Sequence, residues 1–297
     1  KMAVVNTNVN ASVAQNALSR NERAMNTAME RLSTGQRINS ASDDAAGLAI
    51  ASRMTSQIRG LDTGIRNAAD AISMISTADG ALIEVTNMLQ RMRELALQAS
   101  NGTTTEADRN YLNAEYQNLV SEIERISVNT EWNGRTILDG SANATGDSTV
   151  AFQVGANGGQ TVAVNFGNIS QDSGSGATVF ETFETSGTMT AGAFISAQTT
   201  ASAITTATAA VTQIDAAITA VNSQRATFGA AMNQLTYAVD NLSNVRVNAE
   251  ASRSRILDAD YAAETSELAR TQIISQAGTA MLAQANQLPQ TVLSLLQ

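Results

Sequence analysis

Residues 204–256 read ITTATAAVTQIDAAITAVNSQRATFGAAMNQLTYAVDNLSNVRVNAEASRSRI, and this stretch decides the fold. Alternating steps of three and four residues from Ile204 to Ile256 visit sixteen positions, of which only three are charged. A pattern of this length predicts one continuous helix in a bundle, about 80 Å long at about 1.5 Å per residue. The sixteen positions are Ile204, Ala207, Val211, Ile214, Ile218, Val221, Arg225, Phe228, Met232, Leu235, Val239, Leu242, Arg246, Ala249, Arg253 and Ile256.

Two further long helices are predicted upstream, at about 44–99 and 104–128, because apolar residues again recur every three or four positions. The dipeptide Asn101-Gly102 is a stop signal between them. Residues 39–44 are rich in capping side chains, so the first of these helices is expected to begin there. We interpret the adjacent Asp43 and Asp44 as caps that complement the helix dipole, rather than as a metal or acid–base pair.

The composition changes between residues 135 and 195, where Gly, Ser, Thr and Asn dominate. Val150–Val154 and Thr161–Phe166 alternate apolar residues with small or polar ones, and a Gly-containing loop lies between them. This pattern predicts a β-hairpin. Residues 170–178 form a Gly/Ser-rich linker, and residues 179–183 could form one more short strand.

Two terminal helices are predicted, over residues 3–33 and 262–296, each with an apolar stripe that its own segment cannot cover. A heptad stripe is half of an interface, so we expect the stripes to pair with each other and then with other copies of the chain. Isolated helices are marginal in water, so both ends are expected to be disordered in the free subunit and ordered in a polymer. The stripe residues are Leu18, Met25, Met29, Leu32, Ile274, Met281, Leu282, Leu288, Val292 and Leu295.

These elements predict a mainly α protein. We expect a long antiparallel helical rod, a coiled-coil-like bundle, with the N- and C-terminal helices paired and a small β-hairpin insert. The expected division places residues 1–42 with 262–297 in a terminal coiled-coil domain and residues 43–261 in a helical rod domain. The rod domain contains the hairpin and the short Gly/Ser-rich variable insert at 135–195.

Composition excludes several classes of function. The chain contains no Cys and no His, which removes thiol nucleophiles, His-based triads and the common zinc sites. We therefore expect no catalytic site, no metal site, no cofactor and no enzymatic activity. The net charge of −9 argues against a nucleic-acid partner. No run of about 20 apolar residues exists, so no membrane insertion is expected, and the first ten residues lack the apolar core of a cleaved secretory signal.

Three arginines, Arg225, Arg246 and Arg253, lie on the apolar seam of the longest helix. One interpretation is that their stems pack on the seam while the guanidinium groups reach water. The other is that they pair with acids and fix the register of the bundle, because a buried charge is costly unless it is matched.

Several segments resemble bacterial flagellin, in the family's order and over nearly the whole chain. Each is long enough to make the combined match specific. The segments are Val5–Val9 at the start, Leu32–Ala41 and Asp43–Ile50 at the first joint, Ser254–Ala262 at the second joint, and Gln276–Thr279 with Leu282–Gln290 near the end.

The resemblance implies a structural subunit that polymerises into the filament of the bacterial flagellum for swimming motility. The paired terminal helices would then line an inner tube, and the rod with its hairpin would form the next shell. The implied partners are other copies of the chain in a helical homopolymer, the flagellar cap and hook-associated proteins, and a cytoplasmic export chaperone at the C-terminal helix. The implied location is extracellular, in the flagellum, reached by type III export without a cleaved signal peptide.

The segment Gln90–Gln98 resembles the family region that packs against neighbouring subunits and that vertebrate Toll-like receptor five binds in many bacteria. By residue match, Arg91, Leu95 and Glu115 occupy its key positions. Arg91 and Leu95 are four residues apart and are therefore expected on one helix face. This surface is expected to be exposed in the free subunit and hidden in the filament. Its expected members are Gln90, Arg91, Glu94, Leu95, Gln98 and Glu115.

Two other functions remain open. A hook–filament junction protein uses the same terminal helices but does not polymerise indefinitely, so elongation without limit from filament fragments would exclude it. A secreted membrane-active translocator also has amphipathic helices, but it needs a strongly apolar or basic membrane face. Leakage of liposomes would support that alternative.

Overall fold

The computed structural model describes residues 8–143, 146–169 and 200–294; in these ranges the side chains of residues 10, 200–203 and 288–294 are left out. The predicted helices are confirmed, and their ends lie within about four residues of the predicted ones except at the first helix, which begins at Val9 after the N-cap Asn8 and not at residue 3. The described helices are α1 (Val9–Thr34), α2 (Ala45–Ala99), α3 (Glu106–Asn129), α4 (Thr200–Leu257) and α5 (Tyr261–Ser294). The described strands are β1 (Glu131–Trp132), β2 (Arg135–Thr136), β3 (Thr149–Gln153) and β4 (Thr161–Asn165).

Contacts divide the chain into two compact units. The terminal unit is drawn from Lys1–Ile58 and Val247–Gln297, and the central unit is Arg59–Arg246. The helices α2 and α4 each contribute residues to both units. The terminal domain expected from the sequence, residues 1–42 with 262–297, is smaller than the terminal unit, which also includes residues 43–58 and 247–261.

The core of the central unit confirms the heptad pattern of α4. Five residues at intervals of seven are completely buried, while the intervening seam positions, such as Val211 and Ile218, are half-buried. This alternation is expected for a helix that inserts one row of side chains fully between its neighbours. From α2, Ile75, Leu82 and Leu89 complete the same core. The five buried α4 residues are Ala207, Ile214, Val221, Phe228 and Leu235.

The predicted hairpin is confirmed as the antiparallel pair β3–β4, in which Val150 faces Val164 and Phe152 faces Val162. The hairpin is anchored just after β4 by Phe166, which is completely buried, with its ring centroid 5.4 Å from that of Phe228 on α4. The strand considered at residues 179–183 lies outside the described residues.

The loop of the hairpin lies directly on α2. Asn67 donates its side-chain N–H to the carbonyl oxygen of Gln153 at 2.9 Å. A Cβ on Gly64 would lie 2.5 Å from the carbonyl oxygen of Val154, and one on Gly60 would lie 3.1 Å from the Cβ of Ala156. The two glycines therefore let the hairpin loop approach the helix more closely than a side chain would allow.

A second, smaller hairpin was not predicted. Strands β1 and β2 pair around Asn133 and Gly134, whose φ angles are +52° and +74°. Two consecutive positive φ angles define a type I′ turn, for which Asn-Gly is the preferred pair. The sequence interpretation treated this segment only as the end of α3, although Asn-Gly is a local hairpin signal.

The apolar composition of α4 bears on the expectation that no segment inserts into a membrane. In the described part of the chain, Ile204–Leu257 contains a window apolar enough to cross a membrane by length and composition, with mean hydropathy 1.2. A buried core helix passes the same test, and the apolar positions from Ala207 to Leu235 lie in the core of the central unit. The composition of α4 therefore has a sufficient explanation in core packing.

We expect Gly64→Ala to destabilise the central unit by about 1–3 kcal/mol, the usual cost of overpacking a close contact. The added methyl would displace the carbonyl of Val154, and backbone cannot move as cheaply as a side-chain end. The matched control is Gly80→Ala on the same helix, where a Cβ meets nothing within 4 Å. Ala is a better helix former, so this control should gain about 0.5–1 kcal/mol. Thermal unfolding by circular dichroism measures both; equal behaviour of the two variants would contradict the docking.

Candidate assembly interface

Helices α1 and α5 pair, as the sequence predicted. Asn21 donates its side-chain N–H to the carbonyl oxygen of Thr271 at 2.7 Å. Arg31, in the last turn of α1, forms an ion pair with Glu264, in the first turn of α5, at 2.9 Å. A Cβ on Gly278 would meet the Cδ1 atom of Leu18 at 3.3 Å. The pair is therefore closely packed at Gly278 and is held by side chains at several levels.

The described parts of both chain ends are helical, as α1 and α5. Hydrogen bonds from Asn8 to Ala285 and from Asn21 to Thr271 join the two helices. Disorder of the ends in the free subunit stays a prediction. Pairing covers only one narrow side of each helix, so the reason for expecting an additional partner remains.

Burial separates the predicted stripe residues into two groups. Leu18, Met25, Leu32 and Leu282 are half-buried between the two helices. The side chains of Met29, Ile274 and Met281 are 51%, 43% and 66% exposed. Leu288, Val292 and Leu295 lie beyond the described side chains.

Three more apolar residues are exposed on the same pair of helices, and the sequence interpretation did not include them. They are Val9, Val13 and Ile273, each at least 60% exposed. Val9 and Val13 are four residues apart and share one side of α1, but at about 100° per residue that side lies well away from the stripe of Leu18 and Met25, so the stripe did not indicate them. Large apolar residues exposed on the terminal pair include Tyr261 at 57% and six others, which we group by exposure alone and call the exposed apolar face: Val9, Val13, Met29, Ile273, Ile274 and Met281.

The sequence around five members of the exposed apolar face is free of charge, whereas Met29 is followed by Glu30 and Arg31. Residues 2–19 and 271–297 contain no Asp, Glu, Lys or Arg. Exposed apolar residues on surfaces that stay in water are usually interspersed with charged ones, and the centres of protein interfaces are depleted of charge. Burial of this part of the terminal unit against another surface would therefore remove no charged side chain from water.

The joint between the helices of the terminal unit is held by backbone hydrogen bonds. Arg37 donates its N–H to the carbonyl oxygen of Leu257 at 2.7 Å, and Ala259 donates its N–H to the carbonyl oxygen of Gly35 at 3.0 Å. Gly35 ends α1 with φ +70°, the left-handed conformation that favours glycine. The Arg37 guanidinium also donates to the carbonyl oxygen of Ile256 and so caps the last turn of α4.

The capping interpretation is confirmed for Asp44, whereas Asp43 bonds to the loop that precedes α2. The Asp43 carboxylate accepts the backbone N–H groups of Ser40 at 2.9 Å and Asn39 at 3.1 Å, while Asp44 accepts the N–H of Gly47 at 2.8 Å. The hydrogen bond from the Ser40 backbone is the main cause that lowers the pKa of Asp43 below its usual value. In the described ranges, no three Asp, Glu, His or Cys side chains lie close enough to hold a metal ion.

We expect the stability of the subunit to be flat between about pH 5 and 9 and to fall below about pH 4, near the unfolded pKa of a carboxyl group. The chain has no His or Cys to titrate in between. The pKa values of Asp43 and Asp108 are lowered by hydrogen bonds, chiefly from Ser40 and Thr105 respectively. A lowered folded pKa contributes stability above the unfolded pKa, and this contribution is lost as the carboxylate protonates. Thermal midpoints measured against pH test this, and Asp43→Asn should reduce the slope of the acid limb.

The expected surface at Gln90–Gln98 forms a connected polar site, with one correction. The Arg91 guanidinium bridges Glu94 at 2.8 Å and Glu115 of α3 at 2.9 Å. The hydrogen bonds that Arg91 donates to Glu94 and then to Glu115 raise the pKa of Arg91. Gln90 and Gln98 are exposed beside it.

Leu95 does not belong to that surface, because it is 1% exposed and packs in the core of the central unit. Four residues advance a helix by about 400°, so Leu95 is rotated by about 40° from Arg91. That rotation carries it into the buried row of Leu89 and Met92. Leu97 is 47% exposed and is the apolar residue of this segment that water can reach.

Two of the three seam arginines form ion pairs with acidic side chains, as the second interpretation predicted. Arg225 pairs with Asp79 of α2 at 2.8 Å, and Arg246 pairs with Asp62 of α2 at 2.9 Å. Among the residues that the structure describes, Arg253 pairs with no acid and donates to the hydroxyl of Thr55 at 3.5 Å. The partners of the two ion pairs are separated by 146 and by 184 positions in the chain. Each pair therefore links a fixed point of α2 to a fixed point of α4.

We expect Arg246→Met to disturb assembly more than it destabilises the subunit. The Arg246–Asp62 pair is about one-third exposed, so its loss should cost less than about 1 kcal/mol of unfolding free energy. A shift in helix register would alter every surface that the helices present to a neighbour. Chemical denaturation and seeded elongation measure the two effects, with Arg253→Met as the matched control. Normal filaments from Arg246→Met would show that the pair does not fix register.

Comparison with known families identifies both halves of the chain. Residues 5–143 match the family described as "Bacterial flagellin N-terminal helical region", and residues 211–296 match "Bacterial flagellin C-terminal helical region". Flagellin of Halalkalibacterium halodurans is 44% identical over 294 residues, which cover 99% of this chain and 100% of that one. Flagellin of Bacillus subtilis is 43% identical over 314 residues, with 99% of each chain covered.

Two solved structures are also similar. The crystal structure of Bacillus cereus flagellin is 30% identical, covers 60% of this chain and 88% of its own, and superposes with a TM-score of 0.46. A protein of Vibrio parahaemolyticus, provisionally described as flagellar hook-associated, is 18% identical and covers 73% of this chain and 100% of its own, with a TM-score of 0.57. At that identity the second similarity bears on the fold alone.

Proposed function

The chain belongs to the bacterial flagellin family, and from this premise we propose how its surfaces build the polymer. As a member of the family it is a structural subunit of the flagellar filament, an extracellular fibre that serves motility. The junction protein and the membrane-active translocator are not favoured, because the full-length relatives of high coverage are named flagellins.

We propose that residues 1–42 and 262–297 form the inner-tube domain and that residues 43–261 form the surrounding rod domain. The single observation that carries this proposal is the exposed apolar face, which lies on α1 and α5. Burial of one large apolar side chain contributes about 1.5–3 kcal/mol, so six exposed ones supply a substantial driving force for association. The absence of charge from residues 2–19 and 271–297 means that this association carries no penalty for burying charges there.

We propose a second contact between subunits at Gln90, Arg91, Glu94, Gln98 and Glu115. Support comes from their exposure and from the Arg91 bridge, which holds α2 and α3 side chains in one arrangement. Leu97 is the apolar residue that we add to this contact, in place of Leu95. Vertebrate Toll-like receptor five is proposed to bind the same residues on the free subunit, where they are open to solvent.

Further partners are proposed on the basis of family membership. The exposed residues Ile273, Ile274 and Met281 of α5 offer an apolar surface that a cytoplasmic export chaperone could cover before assembly. The flagellar cap and hook-associated proteins would meet the same terminal helices at the ends of the filament. Export through the flagellar type III channel completes the proposed route.

Seeded elongation tests the proposal directly. Purified subunit is mixed with filament fragments, and fibre length is followed by negative-stain electron microscopy. Growth that continues as long as subunit is supplied is expected, whereas a junction protein would stop after a short addition. Trypsin provides a second measurement, because Arg20, Arg23 and Arg270 lie on the terminal helices. We expect cleavage there in the free subunit and protection in the polymer; equal cleavage in both would argue against burial of this pair.

A further inference from the structure

Three Asn-Gly steps occur in the described chain, at Asn101-Gly102, Asn133-Gly134 and Asn157-Gly158. In such a step the backbone nitrogen of glycine can attack the side-chain carbonyl carbon of asparagine, because glycine has no Cβ to crowd the approach. The three steps are chemically identical as sequence. Only the folded structure distinguishes them.

Asn101 lies in the exposed loop between α2 and α3. Its side-chain oxygen accepts the backbone N–H of Thr103 at 3.3 Å, which is the hydrogen bond of an Asx turn. This turn folds the carboxamide over the peptide of Gly102 and brings the two reacting groups together. The Thr103 N–H also points at the oxygen on which negative charge would develop during attack.

Gly102 is free to act as the nucleophile. Its N–H donates to no acceptor in the described part of the chain. A Cβ at Gly102 would have only the Cδ1 atom of Ile204 within reach, at 4.0 Å, and one at Gly134 or Gly158 would meet nothing within 4 Å, so open space is common to the three steps. Among the described residues, no hydrogen bond has to break before this nitrogen can lose its proton to solvent.

The other two steps lack this arrangement. Asn133 is fixed at φ +52° in the type I′ turn between β1 and β2. Asn157 donates its backbone N–H to Gln160 at 3.1 Å and accepts from Gln153 at 2.6 Å, and the Asn101 backbone is likewise bonded to Gln98 and Thr104, so the difference lies in the side chains. Neither side-chain oxygen accepts a hydrogen bond from the residues that the structure describes.

We propose that Asn101 is a site of self-modification by deamidation. The Gly102 nitrogen gives its proton to solvent hydroxide and forms a bond to Cγ of Asn101. The tetrahedral carbon then expels the side-chain nitrogen, which leaves as ammonia after taking a proton from water. Water opens the resulting cyclic imide at either carbonyl, which gives aspartate or isoaspartate at position 101. The overall change takes up one water and releases one ammonia, with no oxidant or reductant.

The product alters a structurally important loop. The carbonyl oxygen of Asn101 accepts the N–H of Thr104 at 3.1 Å and the guanidinium of buried Arg109 at 3.3 Å. Isoaspartate inserts an extra methylene into the backbone and would displace that carbonyl. The loop is also bonded to Gln98, since Asn101 and Thr104 both donate to its carbonyl oxygen. If the proposed function holds, subunits stay in place in the filament, so the modification would accumulate with age beside the Gln90–Gln98 contact.

The test uses the folded, unassembled full-length subunit, so it is independent of assembly and of the proposed function. The protein is incubated in mildly alkaline buffer, and peptide mapping by mass spectrometry follows the replacement of NH₂ by OH at all three steps. We expect Asn101 to react several-fold faster than Asn133 and Asn157 in the folded chain, and all three to react at similar rates in denaturant. The two slower steps are controls inside the same molecule.

Gly102→Ala should slow reaction at Asn101 several-fold and leave the rates at Asn133 and Asn157 unchanged. Circular dichroism confirms that this variant is folded before its rates are compared. Reaction at Asn133 or Asn157 as fast as at Asn101 in the folded chain would overturn the proposal, as would an undetectable rate at Asn101.

Discussion

The triple variant M29D/I274D/M281D is expected to lose seeded elongation while its central unit unfolds as in the unmodified protein. All three side chains are 43% or more exposed in the single chain, so Asp is well solvated there. Burying a polar group without a partner costs about 1–3 kcal/mol, and an ionised carboxylate costs more. Three such penalties exceed about 4 kcal/mol, which lowers the association constant more than about 1,000-fold at about 1.4 kcal/mol per tenfold.

Fibre length and light scattering after seeding measure this effect, and circular dichroism monitors the fold. The matched control is the triple alanine variant at the same positions, which removes apolar area without adding charge and should elongate slowly. Elongation of the aspartate variant at the unmodified rate would show that the exposed apolar face stays in water in the filament.

Phe228→Ala is expected to destabilise the central unit by about 3–5 kcal/mol, the usual cost of removing a buried aromatic side chain. Phe228 is completely buried, and its ring is tilted against that of Phe166. The substitution leaves a cavity and also weakens the anchor of the β3–β4 hairpin. A loss of this size lowers the thermal midpoint by about 6–20 °C for a unit of this length.

Tyr237→Ala is the matched control, because Tyr237 is an aromatic residue on the same helix but is 75% exposed. Surface substitutions of this kind usually change the unfolding free energy by less than about 0.5 kcal/mol. Differential scanning calorimetry of both variants gives the comparison. Similar midpoints for the two would mean that Phe228 is not part of a close-packed core.

The helices and the main hairpin were predicted closely from the sequence because their signals are local. The heptad from Ala207 to Leu235 repeats within one segment, and the alternation in β3 and β4 needs only five residues on each side of a turn. The β1–β2 hairpin was equally local, at Asn133-Gly134, and was missed because the two residues were interpreted as a helix end.

The candidate surfaces were predicted less completely because exposure depends on what packs against each residue. The apolar stripe of α1 and α5 was found, but its division into half-buried Leu18 and exposed Met29 follows from the side on which the other helix lies. Leu95 illustrates the same limit: its spacing from Arg91 places it on a neighbouring face, and a rotation of about 40° is enough to bury it.

By itself, the sequence determined which segments are helical and where the hairpin lies, and its absence of Cys and His removed whole classes of chemistry. The tertiary structure decided the register between segments, because a seven-residue repeat is satisfied equally well by any shift of seven. Long-range pairs such as Asp62–Arg246 exist only in one register, and they cannot be read from either helix alone. The structure also decided which apolar residues remain in water, since a helix in a pair can cover only one side of its partner.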